Sequence, residues 1–328
     1  DNARIGDANN ISFYNSEEVH QRLLKAREIH DVKERERLYR EAQELIHRDV
    51  PMVPLVYTEK MIAFNADYKP LAVEPVTHPL LRLVETPVDG SLTYVRGADS
   101  VKLDAAAVTD GESSKVVEQI YDNLVRFKAH TTEIEPALAT SWKASEDGLA
   151  WTFAIRPGVK FHDGTPVDAA AVVNAFERQR DKAHPHHFPT HQYAYYHDLL
   201  EPFVERVEPG EEEGTVVFRL SKPAPPFFLQ ILAVFSFGIP SPKALDEHGA
   251  EFARRPVGSG PFRFVRWSPK TEIVLERNDD YWDGAPKLKQ VIFQPSENPT
   301  VRAERLVAGA ADVIDNIDPL TIPRIVGD

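Results

Sequence analysis

Residues 139–176 read ATSWKASEDGLAWTFAIRPGVKFHDGTPVDAAAVVNAF. Two strand-like runs, Ala139 to Lys143 and Leu149 to Ile155, flank the turn Ser145-Glu146-Asp147-Gly148, and this spacing predicts a hairpin. A second turn follows at Phe161-His162-Asp163-Gly164-Thr165-Pro166, where Asp163 reads as a turn former because its short side chain can bond the backbone just ahead. The turn feeds a helix capped by Asp168, with Val172 and Phe176 facing inward. A switch from period two to period 3.6 within one short stretch, without repeats, points to an α/β or mixed-sheet architecture.

The flanking sequence agrees. Thr215 to Leu220 alternates like a half-buried strand, Phe262 to Trp267 and Glu272 to Glu276 read as a hairpin, and Val291 to Gln294 as a further strand. Asn298-Pro299 starts a helix, with Pro at its first position. Upstream, Leu92 to Arg96 is a short strand. Ser113 and Ser114 are placed to cap a helix bearing Val117, Ile120, Tyr121 and Leu124 on one face. At the start of the chain Asn15 and Ser16 precede a helix with Val19, Leu23 and Ala26 on one face. Asp31 and Glu34 form a capping box for a second helix, with Leu38, Ala42 and Leu45 as its buried stripe. Pro51 ends it, lacking an N–H to continue the helix. Strands are expected at Met52 to Tyr57 and Met61 to Asn65, and irregular structure from Pro70 to Pro79.

A chain of 328 residues can hold two cores or one large α/β unit. Hydrophobic content of 42% and charged content of 27% are those of a globular protein. With 38 basic against 51 acidic residues the formal charge is −13, which argues against a nucleic-acid partner, since that needs a basic stripe. Cysteine is absent, which excludes disulfides, thiol nucleophiles and zinc–thiolate sites and leaves the compartment open. The longest apolar stretch, Phe227 to Ile239, is broken by Gln230 and Ser236 and reads as core rather than a membrane span. No signal peptide opens the sequence, as expected of a mature or recombinant soluble product.

Several phrases then combine. Glu135-Pro136-Ala137-Leu138-Ala139-Thr140-Ser141-Trp142 precedes Glu146-Asp147-Gly148-Leu149, then Gly158 to Pro166, with Ala169 to Phe176 beyond. Pro256-Val257-Gly258-Ser259-Gly260-Pro261-Phe262 and Asn278-Asp279-Asp280-Tyr281-Trp282 follow. Together these resemble the peptide- and nickel-binding family of extracellular solute-binding proteins that serve ABC importers (family 5, oligopeptide- and dipeptide-binding-like). The resemblance implies a periplasmic-binding-protein-like fold (type II, cluster C), an exported extracellular or periplasmic parent of a kind that can carry a lipid anchor, a peptide ligand and a membrane permease as partners, and no enzyme activity.

The order of the parts is unusual. Asn15 to Val19, Arg37 to Gln43 and Val50-Pro51-Met52-Val53-Pro54-Leu55 resemble the family's closing helices and strand, yet here they come first. The resemblance therefore implies a circular permutation, which termini lying close together permit. On this reading residues 1–50 are a helical hairpin from the family's C-terminal region and 51–84 are closing strands of the first lobe. Residues 85–91 join the old ends, 92–312 form the first, ligand-binding lobe, and 313–328 are a hinge and second-lobe remnant. Most of a second lobe has no counterpart, which implies an engineered rearrangement with weak or no peptide binding by an isolated half-site. A non-ligand scaffold is the alternative, pairing with a second-lobe fragment or with itself through an exposed apolar patch.

Candidate site residues follow. The resemblance puts Thr109, Asp110, Gly111, Glu112 and Ser113 on the cleft rim; from the residues alone, this is a loop whose serine caps a helix. Gly258, Ser259 and Gly260 lack the lysine and spacing of a phosphate loop, so the glycines read as permitting a tight turn and close backbone approach at the cleft. The aromatic residues Phe235, Phe237, Tyr281 and Trp282 could line an apolar pocket or simply pack in the core. His184, His186, His187 and His191, with His197 nearby, could surround a metal, and the nickel-binding relatives make a metal-chelate carrier the second reading. Their spacing matches no closed site, so no resident cofactor is expected and adventitious nickel or zinc is the blander outcome. No nucleophile-elbow, zinc-protease or nucleotide motif occurs.

Overall fold

The fold was analysed in a computed structural model, which describes residues 12–29, 31–56, 61–69, 78–85, 90–224 and 226–327. The chain forms two compact units, residues 1–59 with 222–228, and residues 60–221 with 229–328.

The first unit is a helical hairpin of α1 (Glu17–Glu28) and α2 (Val32–Asp49). Its caps follow the sequence: Ser16 accepts from the Val19 N–H, and Asp31 from the Glu34 N–H at 2.8 Å. Val19 and Ala42 are buried between the helices against Tyr14, Leu23 and Leu45. Arg22 reaches Glu41 across the pair at 3.1 Å. Val50 closes α2 in the left-handed region at φ +45°. The strand expected at 52–57 is not formed over its described part. Residues 52–56 pair with no strand, and Val53 and Leu55 stand 70% and 88% exposed. Pro51 and Pro54 remove two ladder donors from this short run.

The second unit contains, in chain order, β1 (Ile62–Phe64), β2 (Ser91–Arg96), α3 (Gly111–Ile120), β3 (Val125–Phe127), β4 (Ile134–Pro136), β5 (Ala139–Ala144) and β6 (Ala150–Ile155). After these come α4 (Ala169–Arg180), α5 (Ala194–Leu199), β7 (Val204–Pro209), β8 (Thr215–Leu220) and α6 (Phe228–Leu232), of which the first residue is grouped with the first unit. The chain continues with α7 (Pro242–His248), β9 (Phe262–Ser268), β10 (Glu272–Arg277), β11 (Gln290–Pro295), α8 (Pro299–Val307), β12 (Val313–Asp315) and α9 (Ile322–Val326).

A six-stranded sheet has the order β1-β12-β2-β11-β10-β9. Its centre is parallel, with Tyr94 of β2 opposite both Phe293 and Val313, and its flanks are antiparallel. Period-two alternation divides the side chains between its faces. Leu92, Tyr94, Val313, Val291 and Phe293 pack with Val116, Val117 and Ile120 of α3. Val95 and Ile314 point the other way and pack with Ala303 and Ala311, joined by Leu306, Ile317 and Ile325. Each face is thus covered by a helix, as a parallel centre requires.

The opening stretch 139–176 forms the elements its pattern predicts. β5 and β6 pair antiparallel, and β8 and β7 complete a four-stranded sheet in the order β5-β6-β8-β7. Phe176 of α4 meets Phe218 edge-on at 4.8 Å, and Phe218 meets Phe153 at 5.4 Å. Asp163 accepts from the Thr165 N–H at 3.0 Å, as its turn role requires. Among the described residues, no helix is long and apolar enough to cross a membrane.

Two further expectations, both at α3, need correction. Asp110, not Ser113 or Ser114, caps α3, accepting from the Ser113 N–H at 2.8 Å. α3 ends at Ile120, so Tyr121 is its C-cap and Leu124 lies beyond it.

Candidate functional site

Helix α3 organises the residues singled out in the sequence, but it gathers them at two ends rather than one. Its ten residues span about 15 Å. Residues 109–113 lie at its N-terminus, where Gly111, Glu112 and Ser113 form the first helical turn rather than the expected loop, whereas 258–260 and 281–282 gather at its C-terminus.

At the N-terminal end an open cavity of about 360 Å³ is lined by His78, Ala98, Asp99, Val101, Asp110, Gly111, Glu112, Lys115 and Asn316. Three of the five expected rim residues line it, and Thr109 is exposed beside them. Ser113 is fully buried, and its hydroxyl accepts from the Val101 N–H at 2.8 Å, fastening the 97–101 loop to α3. Asp99 secures the same loop by accepting from Lys270 N–H at 2.8 Å and from Trp267 Nε1 at 3.2 Å.

Charge behind this cavity is dense and paired. The Lys115 ammonium lies 2.9 Å from Glu112 Oε2 and also contacts Asp315 Oδ2. Tyr94 donates to that Asp315 oxygen at 2.9 Å. Arg96, wholly buried, donates to the Glu112 carbonyl and, at 3.0 Å, to Ser100 Oγ. The wall therefore presents the Asn316 amide together with carboxylates of Asp99, Asp110 and Glu112, with the buried Lys115 ammonium paired to Glu112 and Asp315 behind them. It can meet both an anionic and a cationic group of one small ligand. Sequence reasoning missed Lys115, Arg96, Asp315 and Asn316. The visible signal was a charged residue placed among the apolar positions of a helix and at the ends of two strands.

His78 lines this cavity and holds residues 78–85 on α3. Its Nδ1 is 2.7 Å from Glu118 Oε2 and its Nε2 is 3.4 Å from Ser114 Oγ. Ser114 is buried and donates to the Gly111 carbonyl at 2.9 Å, so its hydroxyl is an internal helix contact rather than an exposed nucleophile.

At the C-terminal end the expected residues converge on a carboxylate that sequence reasoning did not single out. Asp122 accepts from Tyr281 OH at 2.8 Å, Ser259 Oγ at 2.9 Å and Trp282 Nε1 at 3.0 Å. Burial pushes its pKa up, and the three donors pull it back. Phe235, Tyr281 and Asp122 line a small cavity of about 70 Å³ with Arg126 and Asn123. Trp282 is stacked by Arg156 at 4.3 Å. Gly258 and Gly260 are needed for close approach and not for a positive φ. A Cβ at Gly258 would lie 2.2 Å from the Ile120 carbonyl oxygen, and one at Gly260 would lie 2.6 Å from the Ile120 carbonyl carbon. His162 closes the same loop, with its Nε2–H donating to the Gly260 carbonyl at 3.0 Å, and burial pushes its pKa down to about 4.

The histidine run takes separate protein partners. His186 sits 2.8 Å from Asp246 Oδ1 through Nε2 and beside Asn174 through Nδ1. His187 donates from Nδ1 to the Arg178 carbonyl at 2.8 Å, and His191 Nδ1 lies 3.2 Å from Asp104 Oδ2. His184 accepts from the His186 N–H at 3.1 Å. Among the described residues no three His, Cys, Asp or Glu side chains are grouped to hold a metal. His191 belongs to a buried ion cluster in which Arg178 grips Asp104 with two bonds, of 3.0 and 2.5 Å. Burial acts to raise the Asp104 pKa, but Arg178 and His191 hold it well below the usual carboxylate range.

Residues 133–328 match the sequence profile of the bacterial extracellular solute-binding proteins, family 5 (middle). Di/tripeptide-binding protein 4 of Pseudomonas aeruginosa is 31% identical over 245 residues, which cover 71% of this chain and 45% of that protein. Heme-binding protein A of Haemophilus influenzae is also 31% identical over 245 residues, covering 69% and 44%. The periplasmic binding protein DppA of Helicobacter pylori, solved in complex with the peptide STSA, superposes with a TM-score of 0.67 at 37% identity, over 72% of this chain and 48% of that one. The chain thus spans about half the length of the curated relatives it matches.

Proposed function

Because the chain belongs to the family 5 bacterial extracellular solute-binding proteins, we propose that it carries one wall of a cleft for a small peptide, delivered to an ABC-type permease outside the cytoplasm. The observation that carries this reading is the cavity at the α3 N-terminus. It places the Lys115 ammonium and Asn316 beside the Asp99, Asp110 and Glu112 carboxylates, which suits a zwitterionic ligand with charged ends. The di/tripeptide-binding relative and the peptide-bound neighbour support the ligand class.

The family resemblance implies a parent that closes two lobes over an extended peptide, pairing backbone groups in the manner of strand addition. A single wall leaves much of the ligand in water, so affinity should be weak until a facing wall is supplied, from the same protein or a partner. The permuted order is supported by how the tail-like segment meets the head-like one and the joint. Asn65 N–H donates to the Asp312 carbonyl at 2.8 Å, Lys69 bridges Glu85 of the joint, and Tyr68 OH donates to the Ser91 carbonyl at 2.7 Å.

Calorimetric titration with di- to pentapeptides tests the proposal. Dissociation constants on the order of 0.1–10 mM are expected, with heats lost in Lys115→Met. Submicromolar affinity would contradict the single-wall reading. Equal binding by Lys115→Met would contradict the assignment of the site.

A further inference from the structure

Arg302 lies in α8, on the sheet face opposite α3, and is 3% exposed. Its guanidinium donates to four backbone carbonyls. It reaches Ser296 at 2.6 Å and Glu297 at 3.1 Å, just after β11, and Asp315 at 3.1 Å and Asn316 at 2.5 Å, at the end of β12. The exits of two strands are therefore tied to one side chain. Five N–H donors in a rigid planar fork make arginine suited to this, and lysine, with three donors on one atom, is not.

The tie bears on the cavity wall because of sheet alternation. Asp315 is two residues past Val313, so its side chain leaves on the α3 face, while its carbonyl is held from the α8 side. That side chain receives Tyr94 OH and contacts the Lys115 ammonium. Asn316 sits in the left-handed region at φ +49° and itself lines the cavity. Asparagine visits this region more readily than most non-glycine residues, so the position needs holding rather than forcing. The two Arg302 bonds at 315 and 316 provide that hold.

We infer that Arg302 is a positioning residue for the cavity: through the 315–316 backbone it fixes Asp315 and Asn316, and through Asp315 it holds the Lys115 ammonium in the wall. This rests on reading the cavity as the ligand site, but its test needs no ligand. A lysine held in a buried ion pair resists acylation, so Lys115 reports directly on the tie. Wild type and Arg302→Met are labelled with N-hydroxysuccinimidyl acetate, and each lysine is followed by peptide mass spectrometry. The exposed Lys128 and Lys243 serve as references.

Lys115 labelling should rise at least tenfold in Arg302→Met while the references and amide exchange in β6 and β8 stay at wild-type rates. Arg302→Lys guards against misfolding of the methionine variant and should give an intermediate rise. Asp315→Asn should match Arg302→Met, with no further rise in the double variant. Unchanged Lys115 labelling in both Arg302 variants would overturn the inference. So would a rise matched by faster exchange throughout β6 and β8, which marks a merely structural role. A silent peptide titration bears instead on the functional reading, so the two failures are distinct.

Discussion

Asp122 gathers three donors from two distant segments; Ser259 and Tyr281 are buried and Trp282 is half-buried. Asp122→Ala should destabilise the protein by about 3 kcal/mol or more, because each orphaned buried donor carries its own desolvation cost; chemical denaturation checks this. Asp122→Asn should cost less, since it keeps an acceptor and removes a charge that burial already disfavours. Ser259, Tyr281 and Trp282 were legible as a set because they stand in recognisable phrases. Asp122 was not, because an aspartate after Tyr121 reads as an ordinary helix end. His162 offers a second test. Its folded pKa of about 4 lies below the unfolded value near 6.5, so the unfolded chain binds the extra proton first. Stability should therefore fall as pH drops through that window, by about 3 kcal/mol from this group. His162→Gln, which keeps a donor for Gly260, should flatten the slope, and urea titrations at pH 7, 5.5 and 4 measure the difference.

At the scale of elements, α3 sets both clusters by its two ends. Its cap is the more modest feature, and Asp110→Ala should cost about 1 kcal/mol. At the other end Gly258→Ala forces a methyl group against the Ile120 backbone, which cannot move as a side-chain tip could. A loss of at least about 2 kcal/mol is expected in thermal or urea unfolding. The hairpin β5–β6 and the caps at Ser16, Asp31, Asp168 and Asn298 were readable because local chemistry alone determines them. β7 was not, since Val204 to Pro209 has only two apolar residues beside its proline and owes its place to pairing with β8. Met52 to Val56 failed in the opposite way: its composition favours a strand, but a strand also needs a neighbour.

At the scale of the whole molecule, the mixed α/β class was legible because runs of period two and period 3.6 alternate along the chain. The sheet into which they assemble was not, since β12 and β1 are far apart in sequence and each is three residues long. The cavity was legible only as the loop 109–113. Its charged wall joins residues 96, 112, 115 and 315, which no local pattern links. The proposed site for the peptide is this wall, and not the small cavity beside Asp122 or the outer face of the four-stranded sheet. Hydrogen-exchange mass spectrometry with and without saturating alanyl-alanine tests it most directly. Slowed exchange confined to residues 97–101, 109–115 and 315–317 is the expected result. Protection confined to residues 143–152 and 208–219, or no protection anywhere at saturation, would contradict it.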